Sequence, residues 1–338
     1  MTLKQRIALL VQLGAYLNSD DELLKAFMSR TQYNNAWLTV ENCEKSAKAI
    51  AANFLQKAPL ENWAKIYEVQ ENTSPKKVGI VMAGNIPFVG FHDFLSVFLS
   101  GNQAIIKLSD KDKFLFPHLI KKMGDWDEAA KPYFEIAERL KGFDAVIATG
   151  SNNTTRYFEQ YFGKYPNIIR KNRNGIAILD GTESMADLYA LGNDVFEYYG
   201  LGCRNVSKIY VPRDFKFEPL LEALHEYNSI VLNNKYKNNF DYNYAMLMLN
   251  KVPYKANGCI ILTENEAITS RIASLHYEFY DKADNLVVEM NRRAAEIQCV
   301  VTKMELPNIN TIPFGKAQRP SLTDYEDGVD IMRFLVNL

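Results

Sequence analysis

Cysteine and histidine are scarce in this chain, which has four of each among its 338 residues. The cysteines are far apart and comprise Cys43, Cys203, Cys259 and Cys299. No two form a C-x-x-C pair and no histidine stands at zinc-ligand spacing, so the sequence predicts no metal site. So few cysteines in a chain of this length argue against a disulfide scaffold and favour a reduced, cytoplasmic protein.

Charge of one sign is also lacking, because the formal net charge is only -1. A balanced charge, without a basic patch interleaved with aromatic residues, argues against a nucleic-acid or anionic-membrane partner. No apolar run approaches the roughly 18 residues that a membrane span needs. The first residues lack the apolar region of a signal peptide. We therefore expect no nucleic-acid partner, no membrane span and no signal peptide.

Three common motifs are missing as well. The sequence has no G-x-G-x-x-G after a strand, no G-x-x-x-x-G-K-[ST] and no G-x-S-x-G. These absences tell against the usual dinucleotide fingerprint, a P-loop enzyme and the nucleophile elbow of a hydrolase. Histidine offers no obvious catalytic triad, and we expect His92 and Asp93 only to cap a helix or to lie on the surface.

What the chain does contain is an alternation of strands and helices. A chain of this length exceeds the size of a usual single core, so two lobes are expected. The first seventy residues are predicted to be helical: Thr2 and Gln5 form a possible capping box, and a second helix covers 47–55. Strands are predicted over 78–83, 103–108, 144–149, 175–179 and 206–211. Helices are predicted over 91–99, 114–123, 133–140, 185–198 and 218–227, and residues 233–239 are predicted to form a polar loop.

Strands separated by helices of this length indicate βαβ units, and therefore parallel sheets with helices on both faces. The predicted fold class is α/β. Ligands of open parallel sheets bind beyond the carboxyl ends of the strands, which directs attention to the residues just after each strand.

Cys203 is the first candidate functional residue. It follows Gly200-Leu201-Gly202 and precedes a predicted strand. The glycines lack a Cβ and allow backbone and ligand to approach closely, and a cysteine thiolate is a strong nucleophile if its surroundings lower the thiol pKa. The alternative is an inert buried cysteine that packs as a small hydrophobe. We interpret Cys43, Cys259 and Cys299 as packing residues of this kind.

Polar residues at three predicted strand ends form the second set of candidates. The Asn85 amide can donate to an oxyanion, and the Lys107 ammonium can reach ribose hydroxyls or a phosphate. Gly150 and Ser151 open a helix whose free N–H groups can face a pyrophosphate. Each also has a simpler explanation, because Asn85 can close a turn, Lys107 can be solvated and Ser151 can be an ordinary N-cap.

The order of these motifs resembles the aldehyde dehydrogenase superfamily. The shared pattern is Gly84-Asn85-Ile86-Pro87, then Lys107-Leu108-Ser109, Thr149-Gly150-Ser151 and finally Gly200-x-x-Cys203. The segments 196–208, 240–243, 314–318 and 322–330 more closely resemble the LuxC-type acyl-CoA reductases. The resemblance extends from about residue 75 to the end of the chain.

The resemblance implies a role for each candidate. Cys203 would be the catalytic nucleophile, and the Asn85 amide would stabilise the oxyanion. Lys107, together with Ser109, would bind the adenosine ribose of the cofactor. Gly150 and Ser151 would lie under the pyrophosphate. Since Lys107 would favour a ribose 2′-phosphate, NADPH is the first expectation and NADH the second.

The resemblance also implies an activity, which is reduction of an acyl-CoA to an aldehyde through an acyl-cysteine thioester. Two alternatives remain: NAD(P)-dependent aldehyde oxidation, and a non-catalytic nucleotide-binding subunit of a larger reductase. Oxidising members of the superfamily use a glutamate base, whereas residues 168–173 contain no carboxylate. The acyl donor would be CoA or a protein-bound thioester.

The implied organisation is two lobes, each built on a mainly parallel, helix-covered sheet. Residues 1–168 would carry the cofactor, 169–305 would carry Cys203, and 306–338 would return to the first lobe. The chain is shorter than typical luminescence reductases, and we expect the difference to lie at its N-terminus, so we leave the length of the acyl chain open. A homo-oligomer and an acyl-transferring partner subunit are further expectations.

Overall fold

The computed structural model of the protein describes residues 1–71, 74–150 and 152–338. Within these residues the chain divides into two compact units. Unit 1 consists of Met1–Asn172 and Pro320–Leu338, and unit 2 is Arg173–Arg319. The tail thus enters unit 1 at Pro320, whereas the sequence placed this return near residue 306. The functions expected of the two lobes stay predictions.

The elements of the described residues alternate as expected for an α/β protein. The helices are α1 (Leu3–Leu17), α2 (Glu22–Asn34), α3 (Val40–Asn53), α4 (Lys57–Ile66), α5 (Phe91–Leu99), α6 (Leu115–Trp126), α7 (Asn152–Phe162), α8 (Met185–Phe196), α9 (Phe217–His225), α10 (Asn234–Leu249), α11 (Ala283–Arg292) and α12 (Ile331–Val336). The strands are β1 (Lys77–Val81), β2 (Gln103–Lys107), β3 (Phe134–Ile136), β4 (Ala145–Thr149), β5 (Asn167–Arg170), β6 (Asn174–Ile178), β7 (Val206–Pro212), β8 (Lys255–Ala256), β9 (Ile261–Glu264), β10 (Ser274–Tyr280), β11 (Ile297–Val301) and β12 (Thr311–Ile312).

Unit 1 opens with the predicted helices. Thr2 and Gln5 form the expected capping box at the start of α1, each side chain bonding the backbone N–H of the other residue. The expected second helix at 47–55 corresponds to the second half of α3, which begins after its N-cap Thr39. Leu10 and Leu13 of α1 are completely buried, because the apolar face of α1 packs on the rest of the unit.

The sheet of unit 1 is entirely parallel, with strand order β3-β2-β1-β4-β5. The chain proceeds outward from β1 to β3 and then returns to the other side of β1 with β4. The gap between β1 and β4 is therefore the point where the strand order reverses, the place at which such sheets bind ligands. Helix α5 is buried along its whole length, because it contacts β1 and β2 as well as α1 and α12.

The sheet of unit 2 has seven strands in the order β12-β11-β6-β7-β10-β9-β8. All its pairings are parallel except β8 with β9. The prediction of an α/β fold with mainly parallel, helix-covered sheets is confirmed.

Two predicted elements were wrong. Residues 133–140 do not form a helix: Phe134–Ile136 is strand β3 at the edge of the sheet beside β2. A short apolar-polar-apolar run fits either element, and pairing with β2 decides it. Residues 233–239 are not a loop, because Asn233 caps α10 by accepting the N–H groups of Lys235 and Tyr236. Asparagine is a preferred N-cap residue.

No helix in the described parts of the chain combines the length and apolar character that crossing a membrane requires.

Candidate functional site

Three candidate residues of unit 1 stand at the ends of neighbouring strands. Asn85 follows β1, Lys107 is the last residue of β2 and Gly150 follows β4. Since β2, β1 and β4 are adjacent and parallel, their carboxyl ends lie on one edge of the sheet. A further candidate, Ser151, lies outside the described residues.

The turn that carries Asn85 packs directly on the loop after β2. A Cβ on Gly84 would lie 2.6 Å from Ser109 Oγ, so only glycine permits this close approach. Asn85 itself is half-buried, and Ser109 is half-buried beside it. The structure therefore brings two of the predicted site residues into one small region of unit 1.

The same turn is anchored by two buried side chains that the sequence reading missed. The Ser46 hydroxyl donates to the Pro87 carbonyl at 3.0 Å, and the Asp112 carboxylate accepts the Phe88 N–H. Phe88 adopts a left-handed φ of 57°, which is uncommon for a bulky residue. Burial raises the pKa of Asp112 to about 6. The hydrogen bonds of Ser46 and Asp112 stabilise this unfavourable backbone conformation at Phe88, three residues after Asn85.

Lys107 and Gly150 are placed differently. Lys107 is exposed, and it lies opposite Val81 in the register of β1 and β2. Its ammonium can therefore reach a ligand at the strand ends. A Cβ on Gly150 would lie 2.8 Å from Phe158 of α7, so the absence of a side chain lets the backbone just after β4 lie close to that helix.

Cys203 lies in unit 2 between α8 and β7. Tyr198, Tyr199 and Gly200 are consecutively left-handed, with φ values of 54°, 60° and 71°. A left-handed non-glycine residue costs on the order of 1–3 kcal/mol, and such residues cluster at functional sites. Gly200, the first glycine of the Gly-Leu-Gly-Cys turn, is thus required by its left-handed φ. Tyr198 and Tyr199 are held in the same conformation by their surroundings.

The four cysteines differ in exposure. Cys203 is half-buried, whereas Cys43, Cys259 and Cys299 are buried, which confirms the interpretation of these three as packing residues. Cys43 lies in α3, Cys299 lies in β11, and Cys259 lies in the turn just before β9. Burial raises the pKa of the Cys259 thiol to about 11 and that of Cys43 further. Neither forms a thiolate readily at neutral pH.

Asn205, another residue that the sequence reading missed, ties together the ends of the left-handed turn. Its Oδ1 accepts the Gly202 N–H at 2.8 Å. Its Nδ2 donates to the carbonyls of Glu197 at 2.9 Å and Asp194 at 3.0 Å. The signal in the sequence was an amide residue at the start of an apolar strand, where a buried polar group needs several partners.

The segment before the return to unit 1 packs on the same part of unit 2. The Asp194 carboxylate accepts the N–H groups of Gly315 at 2.6 Å and Ala317 at 2.9 Å. Burial raises the pKa of Asp194 to about 6. Arg319 forms an ion pair with Glu197 at 3.1 Å. Two hydrogen bonds and an ion pair therefore hold residues 315–319 against the C-terminal end of α8.

The expectation that His92 and Asp93 cap a helix or lie on the surface was wrong, because both are buried within unit 1. Arg170 Nη1 donates to Asp93 at 2.6 Å, and Nη2 lies 3.6 Å from Glu326. His92 Nε2 donates to the Leu322 carbonyl at 3.0 Å. His92 Nδ1 lies 3.6 Å from Glu326. We call these four side chains, His92, Asp93, Arg170 and Glu326, the buried ion cluster.

Charge compensation governs the pKa values in this cluster. Burial alone would lower the pKa of His92, but the negative charge of Glu326 raises it overall. Burial would likewise raise the pKa of Glu326, but His92 and Arg170 hold it well below its usual range. The Arg170 guanidinium carries a positive charge between Asp93 and Glu326. Arg170 belongs to the segment 168–173, so this segment without a carboxylate contributes a buried cation.

Comparison with known proteins gives one family and one fold. The family model described as acyl-CoA reductase (LuxC) matches residues 7–227. The long-chain acyl-protein thioester reductase 2 of Photobacterium leiognathi is 25% identical over 228 residues, which are 61% of this chain and 47% of that protein. The chain thus spans about half the length of the curated relatives it matches.

Two solved structures illustrate the shared fold. Aldehyde dehydrogenase 21 of Physcomitrella patens, in complex with succinate, has a TM-score of 0.69 and 11% identity and covers 97% of this chain and 82% of its own. The indole-3-acetaldehyde dehydrogenase of P. syringae, a mutant in complex with NAD+ and IAA, has a TM-score of 0.63 and 13% identity. It covers 91% of this chain and 73% of its own. At such identities the likeness shows the aldehyde dehydrogenase fold alone.

Proposed function

The chain belongs to the acyl-CoA reductase (LuxC) family, and on that premise we propose that it reduces a fatty acyl thioester to an aldehyde through an acyl-Cys203 intermediate. The observation that carries the proposal is the half-buried Cys203 at the end of a left-handed turn. The other three cysteines, Cys43, Cys259 and Cys299, are buried. Cys203 is therefore the cysteine available to a substrate.

The proposed reaction needs no activated water. The Cys203 thiolate attacks the thioester carbonyl carbon, and a C–S bond forms while the negative charge passes to the carbonyl oxygen. We assign stabilisation of this oxyanion to the Asn85 amide and the Cys203 backbone N–H, each such donor being worth roughly 3 kcal/mol. The donor's own C–S bond then breaks and its thiolate leaves.

A reduced nicotinamide, held through Lys107 and Ser109, would supply a hydride to the acyl-Cys203 carbonyl carbon and would itself be oxidised. The resulting thiohemiacetal anion breaks its C–S bond, releasing the aldehyde and restoring the Cys203 thiolate. The chain's contribution is to hold the thioester and to bind the developing oxyanion. The segment 168–173 contains no carboxylate that could serve as a base, and its Arg170 is engaged with Asp93 in the buried ion cluster.

A nicotinamide cofactor fits the carboxyl edge of the sheet in unit 1. The close approach of Gly84 to Ser109 leaves the loops after β1 and β2 compact, and the exposed Lys107 stands beside them. We assign Lys107 and Ser109 to the ribose, and Gly150 with Ser151 to the pyrophosphate. Lys107 favours a 2′-phosphate, so NADPH is the proposed reductant, with NADH as the second choice.

The acyl donor is an acyl-CoA or an acyl group on a protein, as the name of the Photobacterium relative describes. Aldehyde oxidation is the second candidate function, and the lack of a carboxylate in 168–173 weighs against it. A homo-oligomer and an acyl-transferring partner subunit stay predictions.

Labelling of the purified chain with radioactive acyl-CoA tests the proposal. We expect label on Cys203 alone, chased into aldehyde by NADPH faster than by NADH, and no label in a folded Cys203→Ala variant. A Cys299→Ala variant serves as the control and should label normally. Label on another cysteine, or wild-type aldehyde formation by Cys203→Ala, would overturn the assignment.

A further inference from the structure

We propose that Asn205 is a positioning residue that fixes the Cys203 turn by binding both of its ends, an inference that rests on the proposed role of Cys203 as nucleophile. Asn205 is almost completely buried, with 1% of its surface exposed. It does not touch the substrate in this proposal. Its effect on chemistry passes through the backbone on which Cys203 stands.

The Asn205 amide bonds Gly202 and Glu197, which lie on the two sides of the left-handed stretch, and we call these bonds the bracket. Oδ1 accepts the N–H of Gly202, the residue directly before Cys203. Nδ2 donates to the carbonyl of Glu197, the residue directly before the left-handed stretch. The two ends of the segment Tyr198–Leu201 are thus bonded to the same side chain.

The backbone between these ends is left-handed at two residues that are not glycine. Tyr198 and Tyr199 carry a Cβ, and φ values of 54° and 60° are unfavourable for such residues. Conformations of this kind persist only where the surroundings impose them. The Asn205 amide accepts the Gly202 N–H after the stretch and donates to the carbonyls of Asp194 and Glu197 before it. Because all three bonds need this backbone, they favour it over conformations with negative φ.

The contact with Asn205 also explains why residue 202 is a glycine. A Cβ at this position would lie 2.9 Å from Asn205 Oδ1, so a side chain there would push the amide away. The glycine directly before Cys203 thereby admits the amide, in addition to any room that it gives a substrate. The Asn205 N–H in turn donates to the Gly202 carbonyl at 3.1 Å, which closes a small ring around Cys203.

Loss of the bracket has a chemical consequence because attack by a thiolate depends on its alignment with the carbonyl carbon. A displacement of about 1 Å can cost about a hundredfold in rate. We therefore expect Asn205→Ala to lower kcat about a hundredfold, with KM for NADPH within about twofold of the wild type. Asn205→Asp keeps an acceptor for Gly202 and loses the donor, so it should lie between, at roughly a tenfold loss.

Asn243→Ala is the matched control. Asn243 is also a buried asparagine of unit 2 and donates from Nδ2 to the Ile272 carbonyl at 2.8 Å. Its loss should lower thermal stability as Asn205→Ala does, since both remove a buried hydrogen bond. It should leave kcat unchanged. A fall in kcat confined to the Asn205 variants separates positioning from general destabilisation.

A second measurement does not depend on reductase activity. Iodoacetamide should alkylate Cys203 in the intact chain, and peptide mapping follows that residue alone. We expect a changed Cys203 alkylation rate, by about fivefold or more, in Asn205→Ala and a wild-type rate in Asn243→Ala. If the wild type reduces no acyl thioester yet this difference appears, the proposed function fails while the bracket stands.

The proposal is overturned if Asn205→Ala folds and shows both wild-type kcat and wild-type alkylation. Should Asn205→Ala not fold, Asn205→Asp decides in the same way. Equal losses of kcat in Asn205→Ala and Asn243→Ala would also overturn it, because they would reflect stability alone.

Discussion

Replacing Arg170 by methionine should destabilise unit 1 severely. Arg170 is buried, with 5% of its side chain exposed, and it contacts Asp93 at 2.6 Å and Glu326 at 3.6 Å. Asp93 is equally buried, and Glu326 is 28% exposed. Arg170→Met fills a similar space but leaves Asp93 without its cation and Glu326 with His92 alone. Removing one partner of a buried ion pair costs about 3–5 kcal/mol.

Urea unfolding followed by tryptophan fluorescence measures this loss. The three tryptophans are Trp37, Trp63 and Trp126, and all belong to unit 1, so their emission reports on the unit that carries the substitution. With an m-value of about 2 kcal/mol/M, a loss of about 4 kcal/mol lowers the midpoint by about 2 M urea. The exposed pair Lys121 and Asp125 gives the control. Lys121→Met should cost less than about 1 kcal/mol.

The pH dependence supplies an independent check. The pKa of Glu326 is lowered in the folded chain, so Glu326 contributes stability above its unfolded pKa of about 4.3 and loses it as pH falls. Arg170→Met weakens that contribution. The gap between variant and wild type should therefore be widest at neutral pH and narrow below about pH 4. A loss no larger than that of Lys121→Met, or a gap independent of pH, would refute the reasoning.

Three further predictions concern the reaction and unit 2. Asn85→Ala should lower kcat about a hundredfold at unchanged cofactor affinity, since the role proposed for the amide is to bind charge that develops in the transition state; a raised KM at normal kcat would make Asn85 a turn residue. Given aldehyde and oxidised cofactor without CoA, turnover should stop after a burst of about one equivalent, because the proposed mechanism includes no base that hydrolyses acyl-Cys203; sustained release of free acid would contradict this. Asp194→Asn should alter the pH dependence of unfolding measured by circular dichroism. Burial raises the pKa of Asp194 to about 6, so the wild type loses stability between about pH 4 and pH 6 as pH rises; the variant should lack this loss, and parallel curves would argue against a buried carboxyl.

The sequence predicted the elements whose signals are local. Helix α5 was expected over the same residues that it occupies, 91–99, and the strand ends at Asn85, Lys107 and Gly150 follow directly from short apolar runs bounded by glycine or polar residues. Parallel pairing then required these ends to share an edge. The capping box of Thr2 and Gln5 is likewise a contact three residues apart.

The misses depend on contacts that a local pattern does not contain. Asp93 and Arg170 are 77 residues apart, and Glu326 reaches them only because the tail returns to unit 1. A polar pair at a helix start reads as a cap until its distant partners are known. Strand β3 is similar, since its three residues become a strand only by pairing with β2.

Asn205 was missed for a different reason, because its partners are all within eleven residues of it. The left-handed angles of Tyr198 and Tyr199 have no sequence signature, since tyrosine seldom adopts them. Without that backbone, nothing in the sequence indicates what the amide would bind.

The discontinuity of unit 1 bears on the order in which a nascent chain can fold. Pro320–Leu338 leaves the ribosome after all of unit 2, yet it supplies Glu326 to the buried ion cluster and Tyr325 to the Trp63 indole N–H at 2.9 Å. Arg170 is synthesised 156 residues before Glu326 and His92 234 residues before it, so at about 5–20 residues per second both wait many seconds for that carboxylate. Unit 2 is continuous in sequence and needs no such wait. Vectorial synthesis therefore favours completion of unit 2 before unit 1, although unit 1 begins first along the chain.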